Sequence, residues 1–168
     1  MIDYLNRIAR FFVLFSAIAL VSSGCLLGGS PQITIEQVNA AESAWLASPS
    51  TDYIITVEVD RPDDRRRNMV VVADGEIVEG IVSYWDSDAR KWQEAQPLGK
   101  DQAYPFTVPG LFEMVRGSLA DSGREDTRVK MEGEPPFPRE IVLGPVIVDG
   151  EPFSMTEATI KVKHFQDN

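Results

Sequence analysis

The sequence has few of the side chains that carry most catalytic and metal chemistry. Cys25 is its one cysteine and His164 its one histidine among 168 residues. A single cysteine excludes an intramolecular disulfide and a multi-cysteine metal site. A Gly-x-Ser-x-Gly elbow, a phosphate-binding glycine-rich loop and a dinucleotide fingerprint are also absent. His164 falls near the chain end in a predicted strand, so we expect it to be structural or exposed. The sequence therefore predicts no catalytic residue, no cofactor and no metal.

Basic residues are also scarce relative to acidic ones. The chain has 16 Lys and Arg against 26 Asp and Glu, which gives a formal net charge of -10. Such a surface repels phosphate backbones, so we expect no binding to nucleic acid. The composition, 43% hydrophobic and 25% charged, is typical of a globular chain that buries a core.

The chain has no apolar run long enough to span a membrane as a helix. Its longest uncharged apolar stretch, residues 11–21, follows Arg7 and Arg10 and precedes the small residues Ser22, Ser23 and Gly24. A stretch of that length is shorter than the roughly 20 residues that a membrane helix needs. Cationic start, apolar centre and small residues in this order predict a secretory signal peptide.

The residues that end this segment, Gly24-Cys25, resemble the lipobox of bacterial lipoproteins, in which the cysteine is lipidated and becomes the N-terminus. The resemblance implies a signal peptide over 1–24, a lipidated tether over 25–32 and a single domain over 33–168. Cys25 is the expected lipidation site, and acyl chains such as palmitate on Cys25 would hold the exported protein on the membrane. Leu26, where inner-membrane lipoproteins tend to have Asp, favours the outer membrane in a cell with two membranes.

Two segments have the periodicity of amphipathic helices. Thr34 and Gln37 have the spacing of a capping box, and an apolar stripe then predicts a helix that ends near Ala47, before Ser48-Pro49. Thr107 caps the second helix. The two predicted stripes are Ile35, Val38, Ala41, Ala44 and Trp45, and Val108, Leu111, Phe112, Val115 and Leu119.

Six segments have the pattern of strands, and Asp74-Gly75 between two of them predicts a type I′ hairpin turn. Runs of strands beside two amphipathic helices predict an α+β domain, with an antiparallel sheet of about six strands and both helices on one face. The order is helix, three strands, helix, three strands. The predicted strands are Tyr53–Asp60, Met69–Ala73, Glu76–Trp85, Thr127–Glu132, Arg139–Leu143 and Met155–Phe165.

Two polar segments separate these elements. Residues 61–67 are predicted to form a charged turn in which three arginines are neutralised by Asp63 and Asp64. Residues 86–106 are predicted to form a long polar segment. Segments of that length inside a compact domain are often functional, and the aromatic side chains that frame this one predict a recognition surface, together with any exposed sheet face. The alternative is that Trp92 only pins the segment to the sheet. The framing aromatics are Tyr84, Trp85, Trp92 and Tyr104.

Carboxylates occur in several turns and leave an enzymatic alternative open. Asp60, Asp63 and Asp149 could serve a cation-assisted envelope hydrolase if they converged, because hard cations bind clustered oxygens. The EF-hand spacing is absent, however. Solvated turns of an acidic protein explain these residues more simply.

Several short motifs of the chain also occur together in one family. These are Trp45 ahead of the Tyr53 strand, Val70-Val71-Val72 with Asp74-Gly75, Thr107-Val108-Pro109-Gly110-Leu111-Phe112, Pro138 ahead of Ile141-Val142-Leu143, and Asp149-Gly150-Glu151. In these motifs the chain resembles the bacterial envelope lipoprotein family known as domain of unknown function 6174. The resemblance implies a shared fold and an envelope location, and no reaction. Many members carry a close cysteine pair where this chain has Glu58-Val59-Asp60, so no thiol role carries over.

These observations together predict a lipid-anchored exported protein that acts as a non-catalytic binding or structural module of the bacterial cell envelope. Its expected partners are the membrane, through the acyl chains on Cys25, and an envelope protein or a small ligand. An inhibitor-like module that docks a sheet face on a target, and the carboxylate hydrolase, are the alternatives.

Overall fold

An antiparallel sheet with helices on one face forms the domain, as the computed structural model shows for residues 32–124 and 126–167. This confirms the predicted α+β class. In chain order the elements are α1 (Ile35–Ala47), β1 (Tyr53–Asp60), β2 (Arg65–Ala73), β3 (Glu76–Asp86), β4 (Lys91–Trp92), β5 (Gln96–Pro97), α2 (Lys100–Ala103), α3 (Val108–Ala120), β6 (Thr127–Glu132), β7 (Phe137–Leu143), β8 (Val146–Val148), β9 (Glu151–Phe153) and β10 (Ala158–Asp167), with 3₁₀ turns at Tyr104–Phe106 and Ser154–Thr156.

The sheet has the strand order β4-β3-β2-β1-β10-β7-β6, and each neighbouring pair is antiparallel. Its six long strands are the six predicted ones, while β5 adds to β3, and β8 with β9 forms a separate hairpin. The last strand pairs with the first, so residues far apart in the chain close the centre of the sheet. The turn between β2 and β3 has positive φ at Asp74 (52°) and Gly75 (77°), which is the predicted hairpin geometry.

Helix α1 begins at the predicted capping box. The Thr34 hydroxyl accepts a hydrogen bond from the Gln37 amide at 3.4 Å, and the Gln37 side chain accepts one from the Thr34 amide at 2.9 Å. Val38, Ala41 and Trp45 are buried, whereas the other two members of the predicted stripe, Ile35 and Ala44, are exposed. Fewer residues of α1 are therefore buried against the core than its apolar periodicity predicts.

Helix α3 is the centre of the core. The Thr107 hydroxyl accepts from the Gly110 amide at 3.2 Å and so caps the helix. Four side chains of its predicted stripe are completely buried: Val108, Leu111, Phe112 and Val115. Each contributes roughly 1.5–3 kcal/mol by leaving water. An ion pair between Arg116 and Glu42 joins α3 to α1.

Alternate residues of the central strands face these helices. The buried apolar residues of β1 are Tyr53, Ile55, Val57 and Val59, and the opposite residues of β2 include Val70 and Val72. At one end of the sheet this layer becomes aromatic, with Trp45 of α1 5.5 Å from Phe137 and 6.2 Å from Phe165, measured between ring centroids. The core therefore lies on one face of the sheet, as the helical and strand periodicities predict.

Two predicted segments need correction. The charged turn ends at Asp64, because β2 already begins at Arg65; all three arginines pair with β1, and Arg66 and Arg67 also pair with β3. The polar segment 86–106 is ordered into β4, β5, α2 and a 3₁₀ turn instead of forming one loop. In both cases pairing with a neighbouring strand organises residues whose local polarity favours a loop.

The predicted signal peptide, Cys25 and the tether up to residue 31 lie outside the described residues. Gln32, the last residue of the predicted tether, forms a bridge to Arg128 of β6, and its side chain donates to Asp126 at 3.1 Å. No helix of the described part of the chain is long and apolar enough to cross a membrane.

Candidate binding surface on the open sheet face

The face of the sheet opposite the helices is open. Its central residues in β1 and β2, among them Ile54, Thr56, Met69 and Val71, are half-buried and belong to no part of the core cluster. The helices pack against the alternate residues of the same strands, on the other face. Within residues 32–124 and 126–167, no helix covers this face. It is the second face that an antiparallel sheet commonly leaves to solvent.

Two tryptophans lie next to each other at the β3 and β4 edge of this face. Trp85 and Trp92 occupy opposite positions in the β3–β4 pair. Their ring centroids are 5.3 Å apart with an interplanar angle of 70°, an edge-to-face arrangement favoured by the ring quadrupoles. Both side chains are half-buried, so each leaves part of its ring accessible.

Two arginines of β2 cover these rings. Because strand residues alternate between faces, Arg65 and Arg67 lie on the same face as Trp85. The guanidinium carbon of Arg67 is 4.3 Å from the Trp92 ring centroid, and that of Arg65 is 5.4 Å from Trp85 and 5.5 Å from Trp92. These are cation–π distances. Each arginine side chain is still 42% exposed, so both retain donors that can reach a partner.

Glu58 of β1 holds the two arginines in place. It lies opposite Arg67 in the β1–β2 pair and is only 8% exposed. Its carboxylate accepts hydrogen bonds from Arg67 Nε at 3.0 Å and Nη2 at 2.6 Å, and from Arg65 Nη2 at 3.4 Å. Burial raises the pKa of Glu58, but the hydrogen bonds and charges of Arg67, Arg65 and Lys163 outweigh it and hold the pKa below the ordinary 4.5. Glu58 is therefore ionised at neutral pH.

We call Glu58, Arg65, Arg67, Trp85 and Trp92 the tryptophan–arginine patch. It offers flat aromatic surface beside cationic donors, the combination that is enriched at the energetic centres of protein interfaces. Its one carboxylate is already engaged by two arginines. The accessible groups of the patch are thus the tryptophan rings and the arginine N–H donors.

The four aromatic residues predicted to form one surface lie in three separate places. Trp85 and Trp92 come together, whereas Tyr84 lies opposite Arg66 on the helix-covered face because neighbouring strand residues point to opposite sides. Tyr104 is beside α3, where its hydroxyl donates to Glu113 at 2.7 Å. The hydrogen bond to the Glu113 carboxylate raises the pKa of Tyr104, and burial adds to this increase. The predicted surface is thus reduced to its two tryptophans.

Sequence reasoning missed the other members of the patch. The sequence pattern places Glu58 only within a predicted strand and the arginines within a predicted charged turn. The i, i+2 spacing of Arg65 and Arg67 was the available signal, since it places both on one face once β2 is extended to include them.

The residues of the hydrolase alternative do not assemble into a site. All three are exposed: Asp60 ends β1 and Asp63 follows in the turn to β2, whereas Asp149 lies in the turn between β8 and β9. Within the part of the chain that the structure describes, no group of three or more His, Cys, Asp or Glu is placed to hold a metal ion. His164 is exposed in β10, where it pairs with Thr56.

Comparisons with known proteins add no evidence on which family the chain belongs to. No protein-family model matches the chain, and no curated protein matches it. The resemblance to envelope lipoproteins therefore stays a prediction that rests on the short motifs alone.

Proposed function

We propose that this protein is a lipid-anchored, exported binding module of the bacterial cell envelope, without catalytic activity, that binds an envelope protein through the tryptophan–arginine patch. The observation that carries the proposal is the pair Trp85–Trp92, held edge to face under two half-exposed arginines on an open sheet face. The predicted signal peptide and Cys25 support the location.

The geometry of the patch supports tight binding because its polar groups are already ordered. The two hydrogen bonds from Arg67 to Glu58 restrict the arginine side chain before any partner arrives. Binding then costs less side-chain entropy, which for a free arginine is of order 0.5–1.5 kcal/mol. A rigid aromatic pair adds contact area at low entropic cost.

The charge of the patch suggests the character of the partner. The whole chain is strongly acidic, with a formal charge of -10, yet the patch carries two arginines against one carboxylate. A partner surface with an apolar or aromatic centre and carboxylates around it would complement this arrangement. We therefore propose an acidic, partly apolar protein surface as the target.

A comparative crosslinking pull-down from intact membranes tests the proposal. Cells would carry the wild-type chain, Trp92→Ala or Tyr104→Ala, the last being a matched loss of a partly exposed aromatic side chain outside the patch. We expect Trp92→Ala to reduce recovery of the specific partner about tenfold or more, as loss of an interface anchor does. Tyr104→Ala should leave recovery unchanged.

Circular dichroism of each purified variant ensures that only folded protein is compared. Equal recovery with wild type and Trp92→Ala would show that the patch is not the binding surface. Recovery of no specific partner by the folded, membrane-bound wild type would contradict the proposed function itself.

A further inference from the structure

Strand β2 carries two polar residues on its helix-covered face, where core packing favours apolar side chains. On its helix-covered side the sequence runs Arg66, Asn68, Val70 and Val72. Val70 and Val72 are buried in the core, and Asn68 is only 1% exposed although it is an amide. Its Nδ2 donates to the Val57 carbonyl at 3.4 Å, which is a long hydrogen bond. The polar end of β2 therefore differs from the rest of the core layer.

A groove lies over this end of the strand. Its volume is ≈ 460 Å³, within the range of sites that hold small molecules. The segment before α3 closes one side, with Leu98 and Phe106, and Met114 of α3 closes another. The floor is apolar and comes from distant strands: Val59, Val82, Leu143, Ala158 and Ile160. We call this cavity the Arg66 groove.

Arg66 brings an unused donor to this apolar space. Its Nε is buried and has no hydrogen-bond partner among the described residues. Asp64 Oδ2 is 3.7 Å away, which permits charge attraction but not a hydrogen bond. The guanidinium carbon lies 5.7 Å from the Phe106 ring centroid. A buried donor without a partner destabilises a fold, and a bound acceptor would remove that cost.

The other polar groups of the groove are consistent with an anionic ligand. Arg61, Tyr84 and Gln102 line it beside Arg66, and all of them offer donors. The net charge here is +1, because Arg61 and Arg66 are positive and the neighbouring Asp64 is negative. A single carboxylate on the ligand would balance it. Arginine binds a carboxylate through two parallel N–H groups, so a partly buried guanidinium with an unpaired donor favours a carboxylate over other acceptors.

We propose that the Arg66 groove binds a small carboxylic acid with an apolar body, its carboxylate on Arg66 and its apolar part between the floor residues Val82 and Ile160 and the side wall at Phe106. This site is on the opposite side of the sheet from the tryptophan–arginine patch. The inference therefore goes beyond the proposed function and does not depend on a protein partner.

Calorimetric titration of the mature, lipidated protein in phospholipid nanodiscs tests the proposal, with empty nanodiscs as the blank for partitioning. The probes are octanoate and 4-phenylbutyrate, each compared with its neutral primary amide. We expect the wild type to bind at least one carboxylate tenfold or more tightly than the matching amide. Arg66→Gln should reduce that ratio to about one. Arg90→Gln, which removes an exposed arginine outside both the groove and the patch, should leave it unchanged.

Nuclear magnetic resonance of the wild type gives a second measurement that needs no variant. Binding in the groove should shift the side-chain amide resonances of Asn68 and Gln102 and leave that of Gln93, outside the groove, unaffected. Absence of saturable binding by both carboxylates, or a carboxylate preference that survives in folded Arg66→Gln, would overturn the proposal. So would shifts confined to residues outside the groove.

Discussion

Glu58→Gln is the substitution that tests the construction of the open face most directly. It removes the negative charge of a residue that is only 8% exposed. The carboxylate accepts hydrogen bonds from Arg67 at 3.0 and 2.6 Å and from Arg65 at 3.4 Å. Hydrogen bonds to charged groups contribute roughly 1.5–3 kcal/mol. The amide keeps one oxygen acceptor, and both arginines are 42% exposed, so water can solvate them and screening lowers the effect. We expect a loss of about 1–2 kcal/mol in the free energy of unfolding at neutral pH.

The pH dependence of this stability loss shows whether it comes from the lost charge of Glu58 or from a packing defect. The folded-state pKa of Glu58 is depressed below its ordinary 4.5, because its arginine contacts outweigh burial. A depressed carboxyl pKa contributes stability above the unfolded-state pKa and loses it as the pH falls through the folded-state pKa. The difference between wild type and Glu58→Gln should therefore be complete above about pH 5 and decline in more acidic solution.

Urea unfolding of both proteins between pH 3 and 7, followed by circular dichroism, measures this difference. At neutral pH the loss corresponds to a decrease of about 3–10 °C in the melting temperature for a domain of this size. Glu140→Gln is the matched control, since its pair with Lys161 is also on a strand but its carboxylate is more exposed. We expect it to cost at most about 1 kcal/mol. A difference for Glu58→Gln that stays constant down to pH 3, or is no larger than that of the control, would refute the reasoning.

Two further predictions concern the core and the anchor. Gly110→Ala would place a Cβ 2.1 Å from the Tyr104 carbonyl oxygen and 2.7 Å from Pro105 Cα. We therefore expect the free energy of unfolding, measured by chemical denaturation, to decrease by about 3 kcal/mol or more. Gly117→Ala is the control: no atom lies within 4 Å of its added Cβ, so stability should stay the same or increase. Cys25→Ser should abolish metabolic labelling with palmitate and release the chain from the membrane fraction, and persistence of either would contradict the lipoprotein prediction.

The elements that sequence reasoning predicted well are those whose local signals agree with their tertiary packing. The bounds of α1, Ile35–Ala47, and of β1 and β6 match the prediction, because caps, periodicity and flanking turn residues coincide there. The Asp74-Gly75 turn is another such place, since its geometry depends on two adjacent residues. Local chemistry is enough where the deciding contacts are close in sequence.

The candidate site required information that the sequence does not carry locally. Arg65 to Arg67 has the composition of a turn, and only the partner strands β1 and β3 make it a strand. Trp92 comes to Trp85 through a β4 of two residues, which is too short for any periodicity to show. Tyr84 and Trp85 are adjacent in sequence and yet on opposite faces, a separation that becomes visible only when the strand is recognised.

The three consecutive arginines of β2 show how one strand can serve two separate surfaces. Arg65 and Arg67 are ordered by Glu58 on the open face, whereas Arg66 forms an ion pair with Asp64, at 3.7 Å, on the helix-covered face. The two sets use different carboxylates and different aromatic rings, Trp92 on one side and Phe106 on the other. Loss of Arg67 therefore leaves the contacts of Arg66 intact, and the reverse is also true. Because of this separation, a failure of the groove proposal and a failure of the patch proposal give different experimental results.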